Sequence, residues 1–190
     1  MKKAWIMVML FSLLLLPGCG TGGEEKAWKK ISEQYSGVSA VEATAKITAD
    51  SGVWMEYEVQ ANYQDGACTT TILSPEELAG ISGVVRGSAA ELTFEGVSLD
   101  TLLPAVAGFT PMDCIDGMLR TLGGAVPTEE NRETKEKEKC LVLTYEQPAG
   151  EYTGSKRIWI SEKTNTPIYM ELYLGDDRIL HCDFTAFTMQ

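Results

Sequence analysis

The sequence predicts a mainly β, α+β protein: one strongly curved antiparallel sheet, a half-open barrel, with an N-terminal helix and two central helices on its concave side. Three observations predict this. Apolar and polar residues alternate with a period of two, most plainly in Trp54 to Tyr63, where Met55, Tyr57, Val59, Ala61 and Tyr63 share one face. Turn signals such as Asp65-Gly66 and Gly175-Asp176-Asp177 join neighbouring stretches, so the strands form a meander. Helical spacing appears at the start and once in the middle, and a sheet of about ten strands curls under its own twist and needs helices to fill its hollow.

The elements follow in order. Glu24 to Tyr35 carries Ala27, Trp28, Ile31 and Tyr35 on one helical face, with acids first and Gly37 just beyond. From Val41 the period becomes two. Trp54 to Tyr63 and Ala67 to Leu73 form a hairpin across Asp65-Gly66. Ser74-Pro75-Glu76-Glu77 is a turn, and Leu78 to Arg86 pairs with Ala90 to Glu95 across Gly87-Ser88. Leu99 to Phe109 and Met112 to Leu122 read as the two central helices, the second opened by Pro111, striped by Met112, Ile115, Leu119 and Leu122, and ended by Gly123-Gly124. Thr128 to Lys139 is dense in charge of both signs and reads as a solvated loop. Strands then resume at Cys140 to Glu146, Ser155 to Ser161 and Pro167 to Leu174, where Ile168, Met170, Leu172 and Leu174 share a face. Arg178 to Thr188 closes the set, with Leu180, Cys182, Phe184 and Ala186 expected inside.

Ahead of this domain stands a segment of another kind. Lys2 and Lys3 precede an uncharged apolar run, Ala4 to Leu16. At ~1.5 Å per residue it is too short to span a hydrocarbon core of ~30 Å, so it reads as the apolar core of a cleaved signal, residues 1–18. Leu16-Pro17-Gly18-Cys19 resembles a lipobox, which implies that Cys19 becomes the lipidated first residue of a protein held on the outer face of the cell membrane. Residues 19–23 then form a short tether, and 24–190 one folded domain.

Composition narrows the partners. The formal net charge is -11, and it becomes more negative once Lys2 and Lys3 leave with the signal. An acidic body is repelled by an anionic bilayer, so only the lipid is expected to touch membrane. Nucleic acid is excluded as a partner, because phosphate binding needs clustered Lys and Arg. Besides Cys19 the chain has Cys68, Cys114, Cys140 and Cys182. Outside the cytoplasm these permit two disulfides, and they equally suit small buried positions. The sequence assigns no pairing.

Reactive chemistry is sparse. His181 is the only histidine, so Ser/His/Asp hydrolysis would have to use it, and alternation sets it opposite Leu180 as a strand-surface residue. No nucleotide-binding glycine motif and no close cysteine pair occurs, so neither a metal nor a cofactor is expected. Asp113 and Asp116 suit a solvated first helical turn. What remains is apolar: Trp54, Met55, Tyr57, Phe109, Met112, Met118, Trp159 and Met170 are the candidate surface for a hydrophobic ligand or a partner, and equally candidates for the core.

The order helix, strands, helical insert, strands resembles the LolA/LolB lipoprotein-carrier superfamily, which implies a half-open barrel of the LolA-like fold. The segments that carry the likeness are Leu92-Thr93-Phe94-Glu95-Gly96 leading into Leu99 to Leu103, then Trp159-Ile160-Ser161, Thr166-Pro167-Ile168, Arg178-Ile179-Leu180 and Phe184-Thr185-Ala186-Phe187. Within the superfamily the chain is similar to GerS-type germination lipoproteins of spore-forming bacteria. That resemblance implies a non-enzymatic accessory protein that assists a cell-wall amidase-like partner in cortex processing. The carrier branch implies instead an acceptor for lipid or lipoprotein acyl chains.

Overall fold

The structure, a computed structural model, describes residues 26–50, 52–87, 89–102 and 106–190. The expected signal, Cys19, the tether, and Glu24 and Glu25 of the first helix lie outside the described residues.

Eleven antiparallel strands form one sheet among the described residues. In chain order they are β1 (Ala40–Asp50), β2 (Trp54–Gln64), β3 (Ala67–Ser74), β4 (Ser82–Arg86), β5 (Ala89–Phe94), β6 (Val97–Leu102), β7 (Glu129–Lys135), β8 (Glu138–Ala149), β9 (Tyr152–Ser161), β10 (Pro167–Leu174) and β11 (Asp177–Met189). Their order across the sheet is β6-β5-β4-β3-β2-β1-β11-β10-β9-β8-β7, so the sheet is open and β6 and β7 are its edges. Two runs of neighbouring hairpins meet where β1 pairs with β11. Among the described residues two α-helices, α1 (Ala27–Ser36) and α2 (Cys114–Gly124), pack on one face, here the inner face.

Alternation sets up this core. Ala43, Ala45 and Ile47 of β1, Val59 and Ala61 of β2, and Ile158 and Ile160 of β9 all turn inward. Ile31 and Tyr35 of α1 and Ile115, Met118, Leu119 and Leu122 of α2 meet them. Each such large side chain contributes about 1.5–3 kcal/mol of burial. A smaller cluster of Cys140, Val142, Trp159 and Tyr169 lies apart from this core, built from the opposite parity of β8, β9 and β10.

Several expectations need correction. Leu99 to Phe109, expected to be a helix, begins instead inside strand β6 (Val97–Leu102), and 106–113 are turns and bends, so among the described residues one central helix stands in place of two. The spacing of Leu99, Leu102 and Val106 imitates a helical stripe, but Glu95-Gly96 makes a two-residue turn with both residues at positive φ, and Val97 pairs with Phe94. Thr128 to Lys139 is no loop: β7 and β8 form a hairpin turned by Glu136-Lys137. Its charges mark an edge strand.

Two bulges also change which residues face inward. At Thr44/Ala45 the partners jump from Ala186 to Phe184. Beyond that point Phe187 and Met189 pack on the core and Ala186, expected inside, is exposed. At Pro167/Tyr169 the register skips Ile168, which joins Trp159 and Tyr169 rather than Met170.

Candidate functional site

The inner face carries both helices, and its middle is filled. Met118, Leu122, Ile158, Met170 and Leu172 are each 0% exposed. Space left on this side includes a cleft of about 330 Å³ where α1 meets β8 and β9, lined by Lys30, Ile31, Leu141 and Ile160 among others, and a cavity of about 180 Å³ beneath β4, β5 and β6, lined by Gly83, Val85, Ala90, Leu92, Thr101 and Met112 among others. Gly83 makes room for the methionine there: a Cβ on it would lie 2.8 Å from Met112 Cε.

The eight candidate residues do not come together. Met118 and Met170 are core, and Tyr57 packs against the core from a half-buried position. Phe109 is buried under the turn that leads into α2, its ring 5.3 Å from Lys156 Nζ. Met112 borders the cavity. Trp159 belongs to the second cluster, and Trp54 and Met55 are exposed at the start of β2.

Two polar constellations escaped the sequence reading. The first lies where α2 meets β9. Lys156 is 3% exposed, although it shares the inward parity of Ile158 and Ile160, and that parity was the available signal. Its Nζ donates to Thr121 Oγ1 at 3.4 Å. Burial pushes this ammonium pKa down, against the opposing pull of Asp113, Cys114 and Asp116. Asp113 and Asp116, expected in solvent, are buried. Asp113 accepts from the Gly108 and Thr110 amides at 2.7 and 2.8 Å and from Thr110 Oγ1 at 2.6 Å, which fastens the preceding turn to the helix start. Asp116 accepts from Arg120 Nε at 2.6 Å.

The second constellation runs over the outer face. Glu171 accepts from Tyr169 Oη at 3.0 Å, Tyr173 Oη at 2.7 Å and Arg178 at 2.8 Å. Burial pushes its carboxyl up, and the bonds from Tyr173, Arg178 and Tyr169 together hold it below the ordinary value. Lys135 Nζ sits 3.3 Å from the Tyr169 ring centre and 5.4 Å from that of Trp159. Glu133 accepts from Trp159 Nε1 at 2.9 Å and pairs with Arg157. His181 stands between the rings of Tyr169 and Trp54, at 6.0 and 6.4 Å. Glu171, Glu133 and their partners brace the face, whereas His181 Nδ1 is buried without a hydrogen-bond partner.

All four described cysteines are free and buried. Burial raises the thiol pKa of Cys68 to about 12 and pushes those of Cys114 and Cys182 up as well. Among the described residues, no group of three or more His, Cys, Asp or Glu could hold a metal ion, and no helix is long and apolar enough to cross a membrane.

No protein-family model and no curated protein matches the chain. Solved structures do. An uncharacterized conserved protein from Thermus thermophilus is similar over 85% of this chain and 86% of its own, with 8% identity and a TM-score of 0.54. A LolA superfamily protein from Nitrosomonas europaea is similar over 85% and 93%, with 13% identity and a TM-score of 0.43. A structure of the CwlD amidase from Clostridioides difficile in complex with the GerS lipoprotein is similar over 86% of this chain and 90% of the matched one, with 17% identity and a TM-score of 0.41. At such identities the likeness to the Thermus protein is one of fold.

Proposed function

We propose that the protein is a non-enzymatic lipoprotein, anchored through Cys19 outside the cytoplasm, whose domain holds a protein partner. The observation that supports this reading is the packed middle of the inner face, where Met118, Leu122, Ile158, Met170 and Leu172 leave no room for a ligand. The apolar cavity beneath β4 to β6, about 180 Å³, falls below the ~300–1,000 Å³ of ordinary small-molecule sites, and a larger cleft of about 460 Å³ is lined mostly by polar groups, Lys26, Thr128, Glu130 and Arg132 among them. Large apolar groups at Trp54, Phe94, Val97 and Leu99 remain exposed to solvent. The finer reading, a GerS-type accessory to a cell-wall amidase-like enzyme in germination, rests on the sequence resemblance alone.

The test is recovery of the full-length chain, crosslinked in its native membrane and extracted in detergent, followed by mass spectrometry. A single partner in stoichiometric amount is the expected result, and a wall-processing enzyme would support the finer reading. A chain that emerges without a partner overturns the proposal.

One observation favours a second reading, that of a carrier or acceptor of acyl chains. The cavity is lined mainly by apolar groups and bounded by a flexible methionine, which could swing to enlarge it. Native mass spectrometry separates the two: bound lipid supports the carrier, and a clean protein mass supports the partner-holding domain.

A further inference from the structure

The two edges of the sheet are built on different principles. In β7, Glu129, Glu130, Arg132, Glu133 and Lys135 fill an edge strand with charge, which blocks pairing with another chain. In β6 only Asp100 is charged, and Val97 and Leu99 are 72% and 65% exposed. Phe94, the register partner of Val97, is 43% exposed. Leu99 pairs with Leu92, whose own partner Gly83 faces Met112, so this apolar row lies on the inner face and continues the lining of the small cavity outward. Asp100 is the one charge set against pairing along this edge.

The opposite face of the same strands names the chemistry of what fits there. Glu91 and Asp100 are direct register partners. Like charges so placed destabilise a sheet. On the far side Glu91 pairs with Val84, and among the described residues neither acid has an ion-pair partner. The remaining neighbour of Asp100 is the position an added strand would occupy. A lysine or arginine there would stand about 5 Å away, Cβ to Cβ, and relieve the repulsion.

We propose that β6 is the docking edge for an extended segment of the protein partner, which adds as a twelfth strand with apolar residues beside Val97 and Leu99 and a basic residue beside Asp100. The added backbone supplies hydrogen bonds along the outward edge of β6 from Val97 to Asp100, and the alternating side chains supply selectivity. This inference rests on the partner-holding reading and identifies its surface.

The probes are two blocked peptides of about six residues, strand length, one alternating valine with lysine and one alternating valine with glutamate. Each is titrated against the full-length chain in detergent, with amide hydrogen exchange read at β6 and β7. The valine-lysine peptide should bind about tenfold more tightly than the valine-glutamate peptide and slow exchange in β6 alone. Asp100→Lys should reverse the preference, and Leu99→Lys should weaken both peptides, with the melting temperature of each variant confirming that the exposed substitution leaves the fold intact. Equal affinities, protection outside β6, or an unchanged preference in Asp100→Lys overturns the proposal. The crosslinking experiment keeps the two claims apart. A partner recovered equally well by Leu99→Lys sinks the docking edge and leaves the partner, whereas a wild-type chain with no partner sinks the partner-holding reading itself.

Discussion

Gly108 and Gly117 meet backbone to backbone: a Cβ on Gly117 would lie 2.5 Å from the Cα of Gly108 and 2.9 Å from Lys156 Nζ. Helix propensity alone would favour Gly117→Ala by about 1 kcal/mol. Here the added methyl collides with main chain that cannot rotate away, so the expected outcome is a net loss of about 1–3 kcal/mol in urea denaturation. A stabilised Gly117→Ala variant would show that the turn over α2 is not packed this closely.

Lys156 is a buried ammonium with one long hydrogen bond. Its folded pKa lies below the ordinary 10.5, so between that lowered value and 10.5 the unfolded chain binds more protons and stability rises with pH. Lys156→Met should abolish this alkaline rise and leave stability at neutral pH unchanged or higher by about 1–3 kcal/mol. Thermal melts across the alkaline range measure both, and a large loss at neutral pH would mean that the ammonium is better paired than its geometry indicates.

Glu171 behaves in the opposite sense. Its folded pKa is held below the ordinary 4.5, so its contribution is fully present above 4.5 and is lost as pH falls through the folded value. Glu171→Gln should cost about 2 kcal/mol at pH 7 and flatten the acid limb of the stability profile. Chemical denaturation at neutral and acid pH gives the comparison, and parallel curves for the two proteins would exclude the role.

With all four described thiols buried and free, the folded domain should resist thiol reagents at pH 8 and react at Cys68, Cys114, Cys140 and Cys182 once unfolded. Mass spectrometry of the alkylated chain reads this directly. Reduction before labelling should change nothing, and a gain in labelled sites on reduction would reveal a disulfide.

The hairpins were legible because their turns and their alternation agree: Asp65-Gly66 joins β2 to β3, and Gly175, at a φ of 59°, begins the turn from β10 to β11. The strands at the two edges were not. An edge strand loses the alternation that burial imposes, so β7 looked like a loop, and the leucines of β6 fell by chance at helical spacing. Parity arguments also failed past the bulges, at Ala186 and Ile168, because an extra residue leaves no mark in the sequence. Of the candidate surface, Trp54 and Met55 were placed at the exterior by no signal stronger than their position at the start of β2. The inward parity of Lys156 was visible, yet a lysine between isoleucines reads as outward unless its strand is followed residue by residue.

The junction of β1 with β11 gives this domain a demanding assembly order. Residues 40–50 and 177–189 lie at opposite ends of the described chain, yet they share the middle of the sheet. Local hairpins on either side can form early, but their union must await synthesis of the final strand and closure of a loop that encloses nearly everything else. A chain stalled or clipped before residue 177 would leave two half-sheets with sticky inner margins, a state prone to aggregate. The last dozen or so described residues therefore decide whether both margins are covered.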